Sequence, residues 1–250
     1  MGTGLTLIIC AVMVSTTFLS GLFGMAGGLV LVGVLFALLP VQDALTLHGI
    51  TQLASNLWRA AMWWRFIRPR TAIGYMIGCL IVLGAWTLWQ YIPSKAVALL
   101  LLGVLPFLGR LLPSRIRGNP ETVLGGLAYG LLCMVLMLVT GVAGPVLDQF
   151  FLNGKLDRRE IIATKGLCQV AGHALKVLYF GFLLDSSASI DPTLAILAVG
   201  SALLGTWLAK PVLQAMSDTT YRRWAGHIVT VVSLYYVGYG GWLIADGYLP

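Results

Sequence analysis

Apolar segments recur along the whole chain and constrain its fold more than any other feature of the sequence. Only 10% of the 250 residues are charged and 58% are hydrophobic, whereas a soluble domain carries roughly 25% charged residues. So few charges cannot cover a water-facing surface, which makes lipid the expected solvent. The sequence predicts an all-α polytopic membrane protein of about ten segments, at about 5–22, 29–39, 44–64, 72–91, 95–112, 123–139, 146–152, 160–184, 192–213 and 224–245.

The basic residues gather in short loops on alternate sides of these segments. The formal net charge is +7, which the positive-inside rule explains better than nucleic-acid binding does. If every segment crosses the bilayer, both termini lie outside and the basic loops face the cytoplasm. Segments two and seven are short enough to be re-entrant, but the charge pattern favours full crossings. The basic clusters are Arg65, Arg68 and Arg70; Arg110, Arg115 and Arg117; Lys155, Arg158 and Arg159; and Lys210, Arg222 and Arg223.

The chain contains an internal repeat, with the first copy in residues 1–118 and the second in 119–250. A shift of 117 residues places the motif GMAG at 24–27 on GVAG at 141–144 without a gap. Each half contains five segments, an odd number, so the two halves enter the membrane from opposite sides. The sequence therefore predicts two inverted repeats with glycine-broken helices, a construction common in secondary transporters.

The third and eighth segments carry matching polar stripes at helical spacing. If the helices run in opposite directions, their glutamines meet near the middle of the membrane and cations lie at both ends. Such a path suits a small anionic substrate. The first stripe is His48, Gln52, Asn56 and Arg59, and the second is Lys165, Gln169, His173 and Lys176.

Each of these features also has a structural interpretation. Polar side chains hydrogen-bond between membrane helices, and the lysines could snorkel to the interfaces. The glycine breaks either allow close packing or expose N–H groups to an anion; their candidate binding residues are Gly24, Gly27, Gly28, Gly141 and Gly144. Asp148 is a candidate partner for Lys165 or His173, or a proton site.

These motifs resemble those of the TauE/SafE (sulfite exporter, TSUP) family. The resemblance rests on SGLFGMAGG at 20–28, TGVAGP at 140–145 and the helix after each. It implies a multi-pass protein of the cell inner membrane that moves sulfur-containing anions such as sulfite or organosulfonates. The leading hypothesis is a secondary transporter or facilitator, and the scarcity of carboxylates suits uncoupled export driven by the membrane potential.

The rival hypothesis is a non-transporting scaffold or assembly subunit whose stripes are packing contacts. A polar cavity between segments three and eight would favour transport, and a dry seam would favour the scaffold. No catalytic constellation, metal-ligand cluster or cofactor motif stands out in the sequence, so we expect neither an enzyme nor a bound cofactor. A homodimer is left open.

Overall fold

Ten α-helices make up most of the described part of the chain. The structure is a computed structural model that describes residues 2–23, 26–111, 119–152, 155–185, 188–215 and 218–247. A 3₁₀ turn (Trp64–Phe66) follows α3, and a π-helical turn (Tyr179–Leu183) extends α8. The helices are α1 (Thr3–Phe23), α2 (Ala26–Leu38), α3 (Val41–Met62), α4 (Pro69–Trp89), α5 (Lys95–Leu111), α6 (Val123–Thr140), α7 (Gly144–Leu152), α8 (Arg158–Leu178), α9 (Pro192–Ala215) and α10 (Asp218–Ala245).

Six helical spans within the described residues are long and apolar enough to cross a membrane, and they lie on α1, α4, α6, α8, α9 and α10. Two further apolar helices, α2 and α5, are shorter. Helix α3 has 22 residues but differs from the six because polar side chains interrupt it. The prediction of an all-helical, multi-pass membrane protein is confirmed at this level.

Local sequence signals explain where the helices around the centre begin and end. Helix α8 starts with a capping box, in which the Asp157 side chain accepts from backbone N–H groups and Glu160 accepts from the Asp157 N–H. Helix α6 ends at Gly141, which has a φ of 82°, a conformation that glycine adopts without a steric penalty. The Gly141 N–H donates to the Met137 carbonyl at 3.0 Å. Helix α7 then begins at Gly144.

Helices α4 and α6 pack closely through two glycines on each helix. A Cβ atom on Gly74 would lie 2.1 Å from the Val123 carbonyl oxygen, and one on Gly78 would lie 2.4 Å from that of Leu127. Gly126 and Gly130 approach α4 just as closely. Each helix therefore carries a G-x-x-x-G motif that faces the other helix, as in many membrane helix pairs. These four glycines carry no signal in the sequence that sets them apart from the others.

The most extensive helix pairings join the first five helices to the last five. Helix α1 packs on α9, α4 on α6, α3 on α8, and α5 on α10. Helix α2 also packs on α3, and α7 packs on α8. As a result α3 and α8 lie side by side with the short helices α2 and α7 against them. This arrangement brings the two polar stripes to the ends of the short helices.

Candidate functional site

Helices α3 and α8 run antiparallel, and two glycines fix their register. A Cβ atom on Gly49 would lie 2.5 Å from Val177 Cγ2, and one on Gly166 would lie 3.2 Å from the Ala60 nitrogen. This register places Gln52 level with His173, and Gln169 level with Asn56. With a rise of about 1.5 Å per residue, the two glutamines are offset along the helices by roughly one turn.

Lys176 is the central basic residue of the site. Its side chain is 0% exposed, so it does not snorkel to an interface as one sequence interpretation allowed. Its Nζ atom lies 3.0 Å from the Gly141 carbonyl oxygen and 2.8 Å from His48 Nδ1. The backbone carbonyl at the end of α6 thus accepts a hydrogen bond from the helix that packs across from it.

His48 continues this hydrogen-bond chain to the start of α2. Its Nε2 atom lies 3.1 Å from the Gly28 carbonyl oxygen. A carbonyl can only accept, so Nε2 carries the proton and Nδ1 is free to accept from Lys176. One chain, from Gly28 O through His48 and Lys176 to Gly141 O, therefore joins the two helix breaks.

Two further polar side chains lie next to this chain with unused hydrogen-bonding atoms. The His173 ring lies 5.5 Å from the His48 ring, centroid to centroid. The Gln52 side chain packs against Gly28, where its Cδ lies 3.4 Å from the position of an added Cβ atom. Within the described residues, His173 Nδ1 and Gln52 Nε2 are buried without a hydrogen-bond partner. Such buried atoms are uncommon in native structures and need an explanation.

At the opposite end of the stripes, the polar side chains form hydrogen bonds and an ion pair with other groups of the protein. Asn56 donates to the Gln52 carbonyl at 2.8 Å, and Arg59 Nη2 donates to Asn56 Oδ1 at 2.9 Å. Lys165 forms an ion pair with Asp148 of α7. The sequence allowed this pairing as one of two for Asp148. Arg59 and Lys165 are half-buried, and Lys165 is paired with a carboxylate, whereas Lys176 is fully buried.

The candidate glycines have different surroundings. Gly27 faces α1, where an added Cβ atom would lie 1.9 Å from the Thr16 carbonyl oxygen, so it serves close packing. Gly28 and Gly141 contribute carbonyls to the hydrogen-bond chain. Gly144 is the first residue of α7, and Gly24 lies outside the described residues. The backbone acceptors at Gly28 and Gly141 were not foreseen, although the break in each helix was the available signal.

One known protein family matches the chain over most of its length. The sequence model described as "Sulfite exporter TauE/SafE" matches residues 7–236 of the chain. The chain belongs to the TauE/SafE family. No curated protein and no solved structure matches it. The family resemblance stated from the glycine motifs is confirmed, and TauE/SafE proteins are membrane transporters rather than enzymes.

In this TauE/SafE protein, the buried cluster offers hydrogen-bond donors to a ligand and no negative charge. Its members are Lys176, His48, His173 and Gln52, and the ion pairs of the described residues, Arg68 with Glu160 and Lys165 with Asp148, do not involve it. A buried cation without a carboxylate partner is costly. An anion that accepts from these donors would offset that cost.

Proposed function

We propose that the protein is a secondary transporter or facilitator that exports a small sulfur-containing anion, sulfite or an organosulfonate, across the cell inner membrane. The anion binds beside Lys176, between α3 and α8 and next to the two helix breaks. The family description supports a sulfur oxyanion as substrate. Three sulfonate or sulfite oxygens match a site in which several donors converge.

The observation that carries this proposal is the environment of Lys176. The ammonium has three donors, and the contacts in the described structure are two acceptors, Gly141 O and His48 Nδ1. The third N–H is available to an anion. The unused Nε2 atom of Gln52 is a second donor, and His173 Nδ1 becomes a third when it carries a proton.

Two inverted repeats, as the sequence predicts, are supported by the pattern of helix packing. A pseudo-twofold rotation exchanges each of the first five helices with its counterpart in the second half: α1 with α6, α2 with α7, α3 with α8, α4 with α9 and α5 with α10. The pair α1–α9 then becomes α6–α4, and α2–α3 becomes α7–α8, while α3–α8 and α5–α10 map onto themselves. All of these pairs occur. In this arrangement the pseudo-twofold axis passes between α3 and α8 near the two glutamines, and the substrate site beside Lys176 lies roughly one helical turn from it.

The remaining stripe residues form an entry path on the cytoplasmic side. Arg59 and Lys165 attract the anion from water, and Asp148 keeps Lys165 from holding it too tightly. Gln169 and Asn56 lie between this entry and Lys176. These roles follow from the predicted orientation, in which the basic loops face the cytoplasm.

One observation favours the rival hypothesis of a non-transporting scaffold. The seam of α3 against α8 is closely packed at Gly49 and at Gly166, as expected for helices that only hold each other. The two hypotheses predict different effects when the basic side chain of Lys176 is removed. A scaffold tolerates removal of a costly charge, whereas a transporter loses its anion site.

The experiment is a flux assay with purified protein in liposomes loaded with sulfite, methanesulfonate or taurine. Lys176→Met is compared with Lys210→Met, which changes an exposed lysine on α9. Loss of a charge-assisted hydrogen bond costs roughly 1.5–3 kcal/mol, so the flux at low anion concentration should fall about 10- to 100-fold in Lys176→Met. Lys210→Met should transport like the wild type. If none of these anions crosses with the folded wild-type protein, transport of this class is wrong.

A further inference from the structure

We propose that Lys176 carries a coupling proton: its amine is neutral in the empty site and takes up a proton when the anion binds. This inference rests on the proposed function. It differs from uncoupled export, which the scarcity of carboxylates suggested. It also assigns the proton to a lysine, where the sequence pointed to Asp148.

The number of acceptors around Lys176 is the first observation. A neutral amine has two N–H donors and an ammonium has three. The structure supplies two acceptors, Gly141 O at 3.0 Å and His48 Nδ1 at 2.8 Å. The two acceptors take both N–H donors of the neutral amine. A third donor appears on protonation, and an anion oxygen is the acceptor that it lacks.

The hydrogen bonds of the His48 ring are the second observation. Its Nε2 proton is committed to the Gly28 carbonyl at 3.1 Å, and its Nδ1 atom faces Lys176. A proton taken up by this pair could lie on His48 Nδ1 or on the Lys176 nitrogen, since either atom can then donate to the other. An amine is ordinarily more basic than an imidazole, so the proton goes to the lysine nitrogen and His48 remains the acceptor.

Titratable groups on the elements around α8 do not supply a counter-charge to Lys176. On α3, Asp43 accepts from the Ser189 N–H, and Arg59 is itself a cation. The α7 carboxylate Asp148 is paired with Lys165. At the far end of α8, Asp157 caps the helix and Glu160 pairs with Arg68, while Arg65 and Arg159 are themselves cations. The uncharged titratable groups are His173 on α8, Tyr75 and Cys79 on α4, Tyr129 and Cys133 on α6, and Tyr179, whose hydroxyl donates to the Tyr91 carbonyl.

Because Lys176 is buried, binding of a proton to its amine and binding of an anion beside it favour each other. An isolated ammonium in a protein interior costs several kcal/mol, and Lys176 is 0% exposed. An adjacent anion repays that cost, so anion and proton favour each other's binding by the same factor. A monoanion and this proton together move no net charge, so transport responds to the combined gradients of anion and proton and not to the membrane potential. Export toward a more acidic exterior is then driven by the anion gradient.

The test measures protons taken up when an anion binds to the purified protein in detergent. Isothermal titration calorimetry with methanesulfonate, in buffers of different ionisation enthalpy, counts these protons. Methanesulfonate remains a monoanion throughout the neutral range, and sulfite is titrated beside it. We expect about one proton per anion, and an apparent Kd that rises about tenfold per pH unit as the pH increases, because the empty amine must be protonated.

Three substitutions locate the proton. Lys176→Arg keeps a permanent cation, so it should bind methanesulfonate without proton uptake and with a flat pH profile. Lys210→Arg, which changes an exposed lysine on α9, is the matched control and should behave like the wild type. His48→Gln retains an acceptor but cannot titrate; it should still take up a proton, as should His173→Gln. These two variants exclude the histidines as the proton site even if Lys176→Arg does not fold.

The outcomes separate this inference from the proposed function. Anion binding without proton uptake in the wild type overturns the lysine coupling and leaves the anion site intact. Persistent uptake in Lys176→Arg, or its loss in either histidine variant, moves the proton elsewhere and also overturns it. If neither anion binds to the folded wild-type protein and neither crosses the liposome membrane, the proposed function and this inference both fail.

Discussion

Gly78→Ala should destabilise the protein because it inserts a methyl group between α4 and α6. The added Cβ would lie 2.4 Å from the Leu127 carbonyl oxygen and 2.6 Å from the Leu131 nitrogen. A carbon atom ordinarily stays about 3.3 Å or more from such an oxygen, so the helices must separate by roughly 1 Å. Overpacking costs about 1–3 kcal/mol, and the higher helix propensity of alanine offsets roughly 0.5–1 kcal/mol. The expected net loss lies between about 0 and 2.5 kcal/mol.

Gly84→Ala provides a matched control in the same helix. Gly84 lies in the exposed part of α4, and an added Cβ would meet nothing within 4 Å. Only the higher helix propensity of alanine then affects stability, so this variant should be as stable as the wild type or slightly more stable. Unfolding of each purified protein is followed in mild detergent by titration with sodium dodecyl sulfate. Equal unfolding midpoints for Gly78→Ala and Gly84→Ala would refute packing through the paired glycines.

Three further predictions concern the helix break, the ion pair and the orientation. Gly141→Ala should unfold at lower denaturant and transport more slowly, because its φ of 82° strains any other residue by about 1 kcal/mol or more; unchanged stability and flux would contradict this. Asp148→Asn should weaken the fold by about 1–3 kcal/mol, between exposed and buried ion pairs, and adding Lys165→Gln should restore much of it in the same denaturation assay; additive losses would argue against the pairing. With intact cells, a cysteine introduced at Lys155 should resist an impermeant maleimide and one at Asp185 should react; the reverse pattern would invert the predicted topology.

Hydropathy was sufficient to locate the helices because membrane segments are long and uniform. The predicted segments 95–112 and 192–213 differ by one or two residues at their ends from α5 and α9. Hydropathy says little about which helices meet. Gly74 and Gly78 are unremarkable among the 30 glycines of the chain, since their role depends on a matching motif on α6 that lies about 50 residues away.

The site was predictable in its residue types and not in its depth. Helical spacing placed Lys176 on the stripe, and the antiparallel register put it at the same end as His48. Spacing does not report burial, so Lys176 was expected near the outer end of a path, whereas its side chain is 0% exposed. Its acceptor at Gly141 is a backbone carbonyl, and every residue has one, so the side-chain pattern carried no sign of it.

The hydrogen-bond chain also joins the two halves of the protein. His48 belongs to the first half and Lys176 to the second, while the terminal carbonyls at Gly28 and Gly141 come one from each half. Any movement that opens a path between α3 and α8 must lengthen at least one of these bonds. A rigid rotation of either half alone would break the bond between His48 and Lys176. The buried amine would then lose an acceptor, and the anion that replaces it would favour the open arrangement. The charge state of one lysine and the position of both helix breaks are in this way parts of the same equilibrium.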